Sequence, residues 1–270
     1  MEAKNNSTFW RKTLPYVKVL VAVGEYVALI TDVIKVTLRR PPSMKLVMQQ
    51  LFDIGVSSLP VVAFTGFSTG LVLAAQSIYQ LSNKGLTSIT GLMVSKAMMT
   101  ELGPVLTAFM ITGRVGAAMC AELGTMRVTE QIDALQSMAV NPNRYLVSPR
   151  FIAGTIMTPL LTIFSVIMGV LGGYLISVYY FNMPPNTYMK PIPIHVNYFD
   201  FFTGVIKGLV FGIIIMTVAC YKGMRTTGGA AGVGRSTTIS VVITYCLILL
   251  VNFFLTLALN VVNDFIHMVK

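Results

Sequence analysis

Glu101 to Leu135 reads ELGPVLTAFMITGRVGAAMCAELGTMRVTEQIDAL, and it begins as an apolar helix and ends as a charged one. Between Pro104 and Cys120 the only charge is Arg114, which suits a helix crossing a bilayer. Arg127 to Leu135 carries Arg127, Glu130 and Asp133 and cannot cross one, so it must lie in water at the membrane's edge. There Val128, Ile132, Leu135 and Met138 form one apolar stripe at helical spacing, with Arg127, Thr129, Glu130, Gln131 and Asp133 off it. The pattern predicts a short amphipathic helix: Gly124 breaks the preceding helix, Thr125 caps the new one, and Asn141-Pro142 ends it. Such a helix, wedged between two spans, suits either the docking point of a separate motor or a plain connector.

Working outward, the whole chain has 54% hydrophobic and 11% charged residues with a mean hydropathy of +0.73, which places it among integral membrane proteins. Its net charge of +10 does not point to nucleic acid, because the basic residues flank apolar runs instead of forming an aromatic-interleaved patch. Cys120, Cys220 and Cys246 are widely separated in apolar segments and read as small core residues. His195 and His267 lie far apart at membrane ends, which argues against a metal site.

From Tyr16 to Leu38 the apolar sequence is interrupted at Lys18, Glu25, Asp32 and, just beyond, Arg39. Residues seven apart drift only about 20° per step, so the four share one helical face. One charged stripe on an apolar helix reads as an interfacial helix, with a spanning helix that turns its charges into a bundle as the rival. Residues 1–45 are therefore taken as an N-terminal segment with this helix, and residues 46–270 as the membrane domain. Five spans are expected, at about 54–76, 97–121, 151–181, 201–221 and 239–262, so the fold class is all-α. Gly66, Gly70 and Ala74 in the first, Gly113, Ala117 and Ala121 in the second, Gly169, Gly173 and Ser177 in the third, and Gly204, Gly208 and Gly212 in the fourth repeat the spacing that lets helices approach closely. Pro159 is a candidate kink, and the proline-rich Asn182 to Asp200 reads as an ordered external loop.

Span two carries Glu101, Arg114 and, at its inner edge, Glu122. Glu101 and Arg114 are about 20 Å apart along a helix and cannot pair with each other. Each is expected to snorkel or to pair with another helix, since a charge at mid-bilayer costs at least about 2.5 kcal/mol. Of the basic residues outside span two, fourteen fall in segments on the side of the charged helix and five on the other: Lys84, Lys96, Lys190, Lys207 and Lys270. By the positive-inside rule the N-terminus is cytoplasmic, the C-terminus external, and the charged helix after span two cytoplasmic.

Gly229 to Ser236, GAAGVGRS, imitates a phosphate-binding loop, but Arg235 stands where the lysine belongs and membrane spans flank it, so no nucleotide site is expected; Ser236 or Thr237 reads as the cap of span five. No nucleophile, base and acid constellation is present, which argues against an enzyme.

The stretch quoted first, with NPNRYLVSPRFIAG from Asn141, GVSSLPVVAFTGFSTGLVLAAQ from Gly55 and GGAAGVGRSTT from Gly228, resembles the signature of the MlaE permease family, the membrane subunits of ABC transporters that work with MCE proteins on phospholipids. The resemblance covers roughly residues 45 to 260. It implies a homodimeric permease with no cofactor on this chain, ATP bound by a separate ATPase subunit, and an MCE-domain partner on the outer face; the absence of an acidic-poor, Ser-rich transit segment favours a bacterial inner membrane over a plastid. It implies ATPase coupling through Arg127, Thr129, Glu130, Gln131 and Asp133. A lipid cavity lined by Leu71, Leu73 and Ala74 of span one with Asn252 and Phe253 of span five is expected, with Lys207 meeting a lipid phosphate. Asn252 departs from the family pattern, which often has an acid there; an amide can hydrogen-bond a headgroup but cannot exchange a proton. A membrane scaffold, or a secondary transporter for another hydrophobic solute, remain as alternatives.

Overall fold

In the computed structural model, which describes residues 15–39, 42–82 and 85–269, the chain is helical, with no strand among those residues. Among the described residues, five stretches are long and apolar enough to cross a bilayer: Met44–Ser82, Thr87–Val128, Asn143–Tyr180, Tyr198–Met224 and Gly229–Phe265. These match the five expected spans and mostly run beyond them, the third ending at Tyr180, one residue short of the expected end. Ahead of them lies α1 (Pro15–Arg39). Span one comprises α2 (Met44–Ile54) and α3 (Leu59–Ser82), joined by a tight turn at Val56–Ser58. Span two comprises α4 (Thr90–Ala97), α5 (Gly103–Ile111) and α6 (Ala117–Val128), interrupted by π-helical turns at Met98–Leu102 and Thr112–Gly116. After α7 (Gln131–Ser137), span three is α8 (Ser148–Leu175) between π turns at Asn143–Val147 and Ile176–Tyr180. Two short helices, α9 (Pro185–Met189) and α10 (Pro191–His195), precede α11 (Tyr198–Met224) and α12 (Gly229–Val269).

The small-residue stripes become the seams of the bundle. A Cβ on Gly66 would lie 2.5 Å from the Ser165 carbonyl oxygen, one on Gly70 would collide with the backbone of Gly169, and one on Gly173 would touch the Cβ of Ala74. The stripes of spans one and three thus face each other, and backbone contact replaces the hydrophobic effect that lipid cannot supply. Span four meets span three in the same way, with Gly208 against Pro159 and Gly212 against Gly154 and Thr158. Buried hydroxyls in α8 bond back into their own helix, Thr158 to the Gly154 carbonyl and Thr162 to the Thr158 carbonyl, which satisfies polar groups that lipid cannot. Between the seams a core forms from Ile54, Val62, Ile111, Phe211, Ile215 and Met216.

Sequence and structure part at several boundaries. Span two does not break at Gly124; α6 continues to Val128, and Gly124 is a packing residue whose Cβ would lie 2.9 Å from Thr226 Oγ1. The break falls at Thr129-Glu130, where Glu130 takes a left-handed conformation with φ 60°, so Thr125 caps nothing and instead donates back to Ala121. Span five begins as helix at Gly229, seven residues before the expected cap at Ser236. The proline-rich loop is mostly helical, since Pro185 and Pro191 each stand at the first turn, where a missing N–H does no harm. Tyr188 of α9 is buried beside Gly91 and Gly173, and burial raises the pKa of its hydroxyl.

The charged face of α1 turns partly onto protein. Glu25 pairs with Arg225 at the end of α11, and Asp32 accepts a hydrogen bond from Asn143 Nδ2 at 2.8 Å. Tyr26, Val33 and Thr37 point into the bundle, with Tyr26 bonded to Thr217 and Thr37 to Ser148, while Val27 and Ile34 stay exposed on the outer side. The helix therefore lies across the α7 end of the bundle. The side chains of Lys18 and Arg39, and the positions of Lys84 and Lys270, fall outside the described residues.

Candidate functional site

The two charges near the middle of span two both sit in π turns: Glu101 within Met98–Leu102 and Arg114 within Thr112–Gly116. A π turn adds a residue to the helical turn and re-aims the side chains beyond it, and such bulges are frequent at functional sites. Arg114 reaches α2–α3, donating to Ser58 Oγ at 2.6 Å. Glu101 reaches across to α11, where Lys207 lies nine residues, about 14 Å, beyond Tyr198.

Lys207 is fully buried and its ammonium uses three donors: to Glu101 Oε1 at 2.6 Å, to the Thr100 carbonyl in the π turn at 2.9 Å, and to Thr256 Oγ1 at 2.8 Å. From α12, Asn252 donates to Glu101 Oε2 at 3.1 Å, and the Thr256 hydroxyl lies 3.0 Å from Glu101 Oε1. Spans two, four and five are thus joined inside the membrane by one carboxylate and one ammonium, the counter-ion arrangement that makes a buried charge tolerable. A small cavity of about 190 Å³, lined by Phe199, Asp200, Thr203, Asn260 and Asn263 among others, leads from this pair towards the α9 and α10 end.

The expected lipid-lining residues divide. Ala74 is buried in the seam with span three, and Leu73 packs against the cluster around Met98. Leu71 is half-buried, with its backbone beside Gly172. Phe253 is 60% exposed, in a row with Leu249, Leu250, Phe254, Leu257 and Val261 along α12. Asn252, beside it, turns inward to Glu101. Lys207, expected to meet a phosphate, instead meets Glu101, and a phosphate could reach it only after that pair opened. Sequence reasoning placed Glu101, Lys207 and Asn252 in separate roles because pairing between residues 101, 207 and 252 leaves no trace in local periodicity. Thr256 was missed altogether, although it stands one helical turn from Asn252.

The second constellation lies at the opposite end. Arg127, on the last turn of α6, pairs with Asp133 of α7 across the left-handed break. Ile132 is buried in one apolar cluster with Val33 of α1, Leu123 of α6, Leu146 and Val147 ahead of α8, and Cys220 of α11. α7 thus sends one side chain into a core to which α1 and spans two, three and four all contribute, while Thr129, Glu130, Gln131, Asp133 and Ala134 remain exposed. Met138, expected on the apolar stripe, is 69% exposed, because α7 ends at Ser137 and Ala139 turns the chain with φ 58°. Glu122 pairs at 2.7 Å with the buried Arg150 at the start of α8. The segment GAAGVGRS forms the first turns of α12, between spans four and five.

The family described as Permease MlaE matches residues 47–258. A protein of Rickettsia felis named a probable ABC transporter permease is 41% identical over 240 residues, which cover 89% of this chain and 93% of that one. The intermembrane phospholipid transport system permease protein MlaE of Haemophilus influenzae is 32% identical over 212 residues, covering 78% of this chain and 81% of its own. A chloroplastic protein of Arabidopsis thaliana, TRIGALACTOSYLDIACYLGLYCEROL 1, is 36% identical over 209 residues, covering 77% and 60% respectively.

Proposed function

We propose, from the premise that this chain belongs to the MlaE permease family, that it is the membrane subunit of an ABC transporter moving phospholipid, with ATP hydrolysed on separate subunits. The lipid assignment is supported by the name of the Haemophilus relative. The observation that carries the motor-driven reading is α7: a charged, exposed helix that follows span two and buries Ile132 in a core shared with spans two, three and four. A force applied to Glu130, Gln131 and Asp133 enters span two directly, because α6, α5 and α4 follow one another with only the two π turns between them. It then reaches Glu101, and through Lys207 and Asn252 the fourth and fifth spans.

The α7 end is the cytoplasmic side in this reading and the α9 and α10 end the periplasmic side of a bacterial inner membrane, as the distribution of basic residues favours. The chain works as a homodimer. Its exposed apolar row along α12, with Leu71 and Phe253, faces a lipid cavity between the copies, and an MCE-domain partner receives or delivers lipid at the periplasmic face. The test is affinity purification of wild type and Glu130→Arg from the native membrane, with mass spectrometry of the associated proteins. An ATPase present with wild type and lost from the variant is the expected result. Its absence even from wild type under gentle detergent conditions would favour a scaffold or a secondary transporter.

A further inference from the structure

α2 has three faces. Met44, Met48 and Phe52 are exposed at a spacing of four, Val47 and Ile54 are buried, and Gln50 and Asp53, continued by Ser57 of the tight turn, lie on a third, polar face. Arg114, Ala118 and Glu122, four apart in sequence, oppose that face from span two. Between these two rows lies an open cleft of about 290 Å³ with an apolar floor. It runs about 12 Å along span two, from Glu122 to Arg114, in the half of the membrane nearer α7.

The charged groups of the cleft decide what fits. Glu122 is held at 2.7 Å by the buried Arg150. Arg114 donates to Ser58 Oγ, and no carboxylate pairs with it among the described residues. Asp53 has neither an ion-pair nor a hydrogen-bond partner among them. A carboxylate left open beside the lipid-facing Phe52 is costly, and an ionisable residue so placed in a span marks a binding function. The cleft therefore offers a guanidinium and a carboxylate that are not paired with each other. A guest carrying both a phosphodiester and a primary ammonium satisfies both, since the phosphate accepts from Arg114 and the ammonium, two carbons further on, donates to Asp53 in charge-assisted hydrogen bonds. A phosphatidylglycerol headgroup brings only neutral hydroxyls to Asp53, and a quaternary ammonium has no N–H to donate.

We propose that the cleft between α2 and span two binds the headgroup of an aminophospholipid from the leaflet on the α7 side, with Asp53 selecting its ammonium. The acyl chains then lie along the exposed Met48 and Phe52, so the lipid enters sideways without leaving the bilayer. Arg114 and Glu122 belong to the span that α7 follows, which makes the cleft the point where a lipid of that leaflet meets the transport path; this role rests on the transporter reading, whereas the binding does not.

The test uses the purified full chain in a nonionic detergent, without ATPase or transport. Native mass spectrometry counts bound lipid as phosphatidylethanolamine or phosphatidylglycerol is titrated into wild type, Asp53→Asn, Asp53→Glu and Asp264→Asn, the last an exposed carboxylate near the far end of α12. Wild type should form a saturable adduct with phosphatidylethanolamine at least fivefold tighter than with phosphatidylglycerol. Asp53→Asn, which removes charge from an exposed position without changing its size, should abolish that preference by weakening phosphatidylethanolamine alone, Asp53→Glu should retain it, and Asp264→Asn should move either lipid by less than twofold. Equal affinities for the two lipids in wild type, or equal losses of both in Asp53→Asn, would overturn the proposal. Millimolar O-phosphoethanolamine should leave the lipid in place; its displacement of the lipid would assign the cleft to a soluble zwitterion and overturn the lipid assignment. Since neither ATP nor transfer is measured, the binding result stands if the transporter reading fails, and its failure leaves that reading intact.

Discussion

The pair Glu101–Lys207 and the pair Arg127–Asp133 are built from the same chemistry on one span, the first within it and the second at its α7 end, and they do opposite things. In the first, Lys207 is wholly enclosed and Glu101 is 37% exposed towards the polar cavity; in the second, the side chains are 37% and 52% exposed. Water screens the exposed pair, so its contribution to stability is small and its charges are available to a partner. In the first pair only Glu101 reaches water, so screening acts on one member alone, and removing Glu101 strands the enclosed ammonium in a low-dielectric site. Depth, more than residue type, decides whether an ion pair is a joint or a handle.

The largest effects should come from breaking the joint. Glu101→Leu leaves the enclosed ammonium without its counter-ion and should cost about 3–5 kcal/mol, read as a lowered unfolding midpoint of the purified chain. Lys207→Met should cost less, about 2–3 kcal/mol, because Glu101 retains access to the cavity and to Asn252. The double variant should recover most of the loss. Equal penalties for the two single variants would show that the burial asymmetry has no energetic meaning.

Next in size is the seam that holds the joint's framework. Gly70→Val drives a side chain into the Gly169 backbone and should destabilise by about 1–3 kcal/mol. By contrast Gly234, with nothing within 4 Å, sits in α12 in open space, and Gly234→Ala should gain a few tenths to about 1 kcal/mol from helix propensity. A thermal-shift comparison of the two variants checks both signs at once.

The handle should behave differently. Arg127→Ala should move the midpoint of the isolated chain by less than about 1 kcal/mol while sharply weakening association with the ATPase in a pull-down. A large stability loss with normal association would reverse the roles assigned to the two pairs. Smallest of all, Glu130→Gly should relieve the left-handed strain at φ 60° and stabilise the isolated chain by up to about 1 kcal/mol, again as a midpoint shift.

Much of this architecture was legible in the sequence because bilayer thickness imposes it. The five spans follow from uninterrupted apolar length, and the Gly66–Gly70–Ala74 and Gly169–Gly173–Ser177 stripes marked close approach before it was known that they approach each other. What was not legible depends on register between helices. The π turns at Met98–Leu102 and Thr112–Gly116 leave no signature in composition, yet they aim Glu101 and Arg114. The helix break was placed at Gly124 because glycine is a common breaker, whereas tertiary packing against Thr226 retains that glycine inside the helix and a left-handed glutamate makes the turn. Lys207 reads as a phosphate ligand from sequence because only the fold brings residues 101, 207 and 252 together.

If force on α7 is converted into lipid movement through span two, the conversion is visible in proteoliposomes carrying the chain with its co-purified ATPase, by following transfer of a fluorescent phospholipid to acceptor vesicles with and without ATP. Wild type should transfer lipid in an ATP-dependent way, and Glu130→Arg should lose that dependence with the chain still folded and inserted. Transfer that is indifferent to ATP in wild type, or equally ATP-dependent in the variant, would contradict it.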